Sequence, residues 1–231
     1  MFSLIWKEWH EQRWKLGFGC LVLSALAAIG LRARILPDET MVEWVCFLGL
    51  ALLPILSSTG LIPAERADDT FESLLALPVA PWRILVAKTL MGLLLCAGPM
   101  ILAALVSVAI AGNREMSSAD MLYFYARSTF TTLSLFIWML ALTAQLPSET
   151  RAGLLAMGLL VFWLLATAGL VQPSVPLLAF AVSPFAFVYR DADPAGNAPT
   201  LLVNLAVQVA ILSLLWLWTT RRLTCGSEGK S

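Results

Sequence analysis

Six stretches of the chain are nearly free of charge, and charged or turn-forming residues bound each of them: residues 16–35, 43–62, 84–111, 121–146, 152–171 and 200–220. A hydrocarbon core about 30 Å thick needs about 20 apolar residues of helix to cross it, so each stretch is predicted to be a transmembrane helix. A further apolar piece, residues 175–189, is set off by Pro173 and Pro176 and interrupted by Ser183-Pro184. It is short for a crossing, and a re-entrant or interfacial segment on one side of the membrane suits it better. The expected fold is an all-α integral membrane protein with six transmembrane helices, a single domain over residues 1–231.

Two segments outside the crossings have patterns of their own. Residues 1–15 read as an amphipathic helix, with Phe2, Ile5, Trp6, Trp9 and Leu16 near one face and Lys7, Glu8, Glu11 and Lys15 mostly opposite. Such a segment is expected to lie in the headgroup plane, its Trp side chains in the interface and its charges toward water. Between the second and third crossings, Asp69 is followed three residues later by Glu72, Phe71, Leu74 and Leu75 share a helical face, and Pro78 and Pro81 end the pattern. That is a capped short helix within residues 65–80, too short to cross and shaped to show one face to the bundle and the other to the aqueous side.

Composition strengthens the membrane assignment. The chain is 59% hydrophobic and 13% charged, with a mean hydropathy of +0.82, whereas soluble domains run at about 45–50% apolar and about 25% charged. The formal charge is zero, so there is no net basic field to draw nucleic acid. Cys20, Cys46, Cys96 and Cys225 form no C-x-x-C pair and suggest neither a disulfide framework nor a metal site. Residues 1–15 lack a cleavage site after the first apolar run and are expected to remain on the mature chain. With the N-terminus inside, Lys7, Arg13, Lys15, Arg66, Arg83, Lys88, Arg151, Arg221, Arg222 and Lys230 fall on the inner face, against Arg32, Arg34, Arg114, Arg127 and Arg190 outside. The excess places both termini in the cytoplasm.

The segment Glu65-Arg66-Ala67-Asp68-Asp69-Thr70-Phe71-Glu72-Ser73-Leu74-Leu75-Ala76-Leu77-Pro78-Val79, followed by Arg83 and Lys88, resembles the loop between the second and third crossings of ABC-2 family permeases. Asp69 stands where that family usually has Gly. Trp6-Lys7-Glu8-Trp9 looks like the interfacial elbow helix of those permeases, and Ser183-Pro184-Phe185 resembles the outer segment before their last crossing. The resemblance implies an exporter half in the cell (inner) membrane, paired with a second permease, identical or homologous. It also implies a separate ATPase subunit that carries ATP and Mg, with no cofactor on this chain. By the same resemblance the inner loop is a coupling helix, and Glu65, Arg66, Asp68, Asp69, Thr70, Phe71, Glu72, Leu74, Leu75 and Pro78 are its contacts to the ATPase. Haem-exporter type permeases share the crossing number and a similar loop, but their Ser-Pro-Phe segment falls close to the C-terminus.

Several features point elsewhere and carry less. Gly229-Lys230-Ser231 mimics the end of a phosphate-binding loop, but Thr224 replaces its first glycine. His10 sits in the amphipathic N-terminus, and neither G-x-S-x-G nor H-E-x-x-H occurs. Arg127 and Glu43 lie near the outer ends of their crossings, placed either to snorkel or to line a substrate path. Asn204 and Gln208, spaced i,i+4 on the last crossing, either bridge helices or join that path. A secondary transporter would favour carboxylates in mid-membrane, and none sits near the middle of a predicted crossing. A non-transporting scaffold or assembly factor is the other alternative.

Overall fold

The computed structural model describes residues 2–34, 36–68, 80–111, 116–170, 183–185 and 198–228. The described residues hold helices α1 (Phe2–Ala33), α2 (Asp38–Leu61), the short α3 (Pro63–Ala67), α4 (Pro81–Ala111), α5 (Ser118–Thr143), α6 (Glu149–Leu170) and α7 (Ala198–Glu228), and no strand. Among the described residues, four segments are long and apolar enough to cross a membrane: Leu4–Ala33, Asp38–Arg66, Trp82–Ala111 and Glu149–Ala166. In α7 the apolar stretch Leu205–Arg221 is shorter.

The 26 residues of α5, at about 1.5 Å each, reach about 39 Å, but three Ser, four Thr and Arg127 dilute its hydropathy. Three of those hydroxyls are accommodated within the helix. Thr129, Thr131 and Thr132 donate to the carbonyls of Tyr125, Arg127 and Ser128, one turn back, at 2.7–3.1 Å. Hydroxyls so satisfied can be buried at the centre of a bundle.

Local chemistry explains where the helices begin. Ser117 caps α5, its Oγ accepting from the Ala119 and Asp120 amides at 3.1 and 3.5 Å. Asp38 and Glu39 occupy the first turn of α2, where the helix dipole favours negative charge. Pro63 opens α3 at a position that needs no amide proton. After α1, Arg34 adopts φ 50°, the left-handed turn that often ends a helix.

The N-terminal segment corrects one expectation. Residues 1–15 do not form a separate helix in the headgroup plane: α1 runs unbroken from Phe2 through the first apolar stretch to Ala33. No proline interrupts it. Trp6 and Trp9 face outward as expected, but Glu8 and Gln12 are buried, so the polar face of this segment turns partly into the protein.

Successive long helices fold back on one another. The broadest contacts are α1 on α4 and α2 on α5, with α4 against α5 between them; α6 packs on α2 and α5, and α7 on α5 and α4. Cys46 of α2 lies beside Ser128 of α5, and Thr143 donates to the Ser58 carbonyl at 3.5 Å. Both pairs advance in the same direction, so α2 and α5 run parallel. Small residues let the backbones close up: a Cβ on Gly92 of α4 would run into the Phe136 ring of α5.

Two clusters form the interior. The larger joins α1, α2, α4 and α5 around Leu31, Ile62, Met100, Met121 and Phe136. The smaller joins α2, α5 and α6 and includes Phe185. Ser183, Pro184 and Phe185 are all buried there, and the rest of residues 175–189 lies outside the described residues. Trp14, Phe18 and Leu21 on α1 and Leu154 and Leu165 on α6 are exposed by 67–76%. Water would penalise such a surface, while acyl chains match it.

Candidate functional site

One end of the bundle gathers the start of α1, the end of α2 with α3, the start of α4 and the start of α6. At its centre is Lys88, two turns into α4 and only 1% exposed. An ammonium carries three donors, and three acceptors meet this one: Glu8 Oε1 at 2.8 Å, Glu65 Oε1 at 2.7 Å and the Leu61 carbonyl at 3.0 Å. The cluster then continues toward the surface. Lys7 Nζ lies 3.6 Å from Glu65 Oε1 and 3.5 Å from Glu11 Oε1.

The members come from α1, α2, α3 and α4, and local sequence explains their aim. Lys7, Glu8 and Glu11 fall on adjacent turns of α1, so two reach the surface while Glu8 enters the α1–α4 contact. Pro63 restarts the chain at the Ile62 turn, which directs Glu65 back toward α1 and α4. Lys88 lies seven residues after Pro81, on the buried side of α4 with Leu85 and Met91.

One carboxylate oxygen from each of Glu8, Glu11 and Glu65 lies within 4.8 Å of the other two. Lys7 and Lys88 stand among them, so the arrangement is an ion-pair cluster rather than a set of metal ligands. Chemically it is a brace. Leu61 and Glu65 precede the 69–79 segment and Lys88 follows it, so one ammonium ties the two ends of that segment together and ties both to α1.

The residues expected to contact an ATPase divide into three groups. Glu65, 12% exposed, is turned into the bundle and engaged by Lys88 and Lys7, a correction to its expected display on the aqueous side. Arg66 reaches toward the turn that follows α5, its Nη1 3.5 Å from the Gln145 carbonyl, and Asp68 is exposed. Asp69, Thr70, Phe71, Glu72, Leu74, Leu75 and Pro78 lie outside the described residues. Lys88 lies at the same end of the bundle as Lys7, but its charge is buried between two carboxylates. Its place inside the third apolar stretch was the available signal, since an ionisable group there requires a partner. Glu8, 80 positions away, gave no matching signal.

At the opposite end, a cavity of about 640 Å³ opens between α2, α5 and α6, and its walls include Glu39, Glu43, Arg127, Ser128 and Phe185. Arg127 also lies over the Tyr123 ring, 5.4 Å from its centroid. Gln208 is fully buried in α7 and does not line this cavity, and the side chain of Asn204 lies outside the described residues. The expected substrate-path residues are therefore not all brought together.

No curated protein matches the chain. A profile of the ABC-2 family transporter proteins matches residues 15–169. The match covers α1 beyond its charged start through nearly all of α6, and so includes Glu65, Lys88 and Arg127 but not Lys7, Glu8 or Glu11. With that match over two thirds of its length and an apolar helical bundle capable of repeated crossings, the chain belongs to the ABC-2 family of transporter proteins.

Proposed function

We propose that the chain is the permease subunit of an ATP-driven exporter, crossing the inner membrane six times with both termini in the cytoplasm. It works as half of a dimer with an identical or homologous permease. A separate ATPase holds ATP and Mg, and this chain carries neither. Membership of a family of non-catalytic membrane transport subunits supports the reading, and the buried bracing of Lys88 carries the coupling part of it. A loop that delivers force must be anchored at both ends, or its motion is lost in bending. Here Lys88 joins Glu65, the Leu61 carbonyl and Glu8 in one contact. A push on the 69–79 segment would then move the ends of α1, α2 and α4 as a rigid body.

The test is substitution within the loop, Glu72→Lys with Leu75→Asp, in a chain co-expressed with its ATPase. If Leu75 fills an apolar socket, its burial contributes about 1.5–3 kcal/mol, so losing it should weaken co-purification about tenfold or more. Insertion of the bundle should be unchanged. A double variant that co-purifies and transports like wild type would refute the coupling role.

A further inference from the structure

Helix α2 is the most buried of the four long apolar segments, yet it keeps one stripe open along its length. Trp44, Leu48, Leu52 and Leu56 follow one another at i,i+4, and all but the half-buried Leu48 are 45–58% exposed. Helices α1 and α6 both pack on α2, and toward the Lys88 end a cleft of about 440 Å³ opens among the three. Its walls include Trp14, Lys15 and Phe18 from α1, Leu53 and Leu56 from α2 and Glu149 from α6. Lys15 and Glu149 are both exposed, and neither has an ion-pair or hydrogen-bond partner among the described residues. Their depths match. The Lys15 ammonium lies against Gly60 of α2, and Gly153, one turn into α6 from Glu149, faces Thr59 of α2. Both charges therefore sit within about one turn, about 5 Å, of the same level.

We infer that this face is where two copies of the chain meet: Trp14 and Phe18 of each copy enter the cleft of the other, and Lys15 of each meets Glu149 of the other. Two copies inserted with the same topology are related by a two-fold axis along the membrane normal, and such an axis brings a residue only against residues at its own depth. A self-complementary surface must therefore carry a ridge and a cleft, and opposite charges, at one level. This surface does: the two rings on α1 border the cleft they would fill, and the ammonium and the carboxylate share its depth. Within a bilayer, apolar area alone does not drive helices together, and shape fit with paired polar groups does. The inference rests on the proposal that the chain works as half of a dimer, and narrows it to an identical partner and to one face.

Two measurements on the full chain test it. In a background without the native cysteines, chains carrying Phe18→Cys and chains carrying Leu56→Cys, co-expressed with different tags and oxidised in membranes, should cross-link to each other. Chains carrying Leu214→Cys on α7, also well exposed, should not cross-link. Self-association is then read by Förster transfer between labelled chains in phosphatidylcholine liposomes. Lys15→Glu or Glu149→Lys alone places like charges at two symmetry-related contacts and should weaken association about tenfold or more, and the two reversals combined should restore it. Both positions are exposed, so the variants are expected to fold. Association of wild-type strength in both single variants, with cross-linking at Leu214→Cys instead, would put the contact on another face. That would overturn the inference and leave the dimer intact. Absence of any self-association would leave this face to annular lipid and also overturn the inference, with a homologous permease as the partner. Only coupled transport by a monomeric chain with its ATPase would remove the dimer as well.

Discussion

Replacing Lys88 by methionine keeps most of the side-chain volume and removes the charge at the centre of the ionic cluster. Glu8, 3% exposed, would then lose its ammonium, and Glu65, 12% exposed, would keep only the longer contact to Lys7. Removing one member of a buried ion pair costs about 3–5 kcal/mol, because the remaining charge stays desolvated. For a chain of this length, about 1 kcal/mol moves the melting midpoint by about 2–4 °C, so a fall of about 6–20 °C is expected. Heating the detergent-purified chain and following the monodisperse fraction by fluorescence-detected size exclusion would measure it. The companion variant is Lys88→Met with Glu8→Leu and Glu65→Leu. Apolar replacement of a whole buried ion cluster is often neutral or stabilising by about 1–4 kcal/mol, so the triple variant should recover most of the lost midpoint. In the reconstituted transporter it should hydrolyse ATP without coupled transport. A single Lys88→Met chain melting within about 2 °C of wild type would refute the energetic argument. A stable triple variant that transports at the wild-type coupled rate would refute the mechanical one.

Two further outcomes follow from the packing and the topology. Gly92→Val should destabilise the chain by about 1–3 kcal/mol through overpacking against Phe136, whereas Gly158→Ala, where an added Cβ meets nothing within 4 Å, should leave the midpoint unchanged; the reverse ranking by the same thermal assay would contradict the α4–α5 contact. In a background without the native cysteines, an impermeant thiol reagent applied to intact cells should label cysteines at Leu36 and Asp191 but not at Ser3 or Asp69, and the opposite pattern would invert the proposed orientation.

The helices were legible in the sequence because the bilayer dictates their length, and their starts were misjudged for one physical reason. The apolar stretches begin at residues 43, 84 and 121, but α2, α4 and α5 begin at Asp38, Pro81 and Ser118. In each case the first turn is polar or precedes the apolar run, so hydropathy does not register it, while the Ser117 cap of α5, the acidic first turn of α2 and Pro81 at the start of α4 favour helix there. The first helix shows the converse limit. A change from amphipathic to apolar at Lys15–Leu16 suggests two elements, but a change of surface is not a break in backbone hydrogen bonding. Periodicity gives the two faces of residues 1–15 without saying which is buried. Glu8 turns inward only because Lys88 meets it, and no local pattern encodes that meeting.

Stability alone does not account for so polar a contact, since an apolar substitute would serve as well or better. What the ionic cluster supplies is position. The faces of α1 and α4 meet through small and smooth residues, with Gly19 against Pro99 and Ala27, Ala103 and Ala104 in the shared core. Such surfaces tolerate sliding, because dispersion changes little as one alanine replaces another. Three bonds from one ammonium do not tolerate it: moving α1 by one residue, about 1.5 Å, carries Glu8 out of reach of Lys88. The cluster therefore fixes the register of α1 against α4 at the end of the bundle from which the 69–79 segment leaves. That gives a specific signature for the triple variant, which should retain stability while α1 samples more than one register. Pairs of cysteines across the α1–α4 contact should cross-link at a single register in the wild-type chain and at neighbouring registers as well in the triple variant. An unchanged single register in that variant would assign the fixing of α1 to the apolar packing instead.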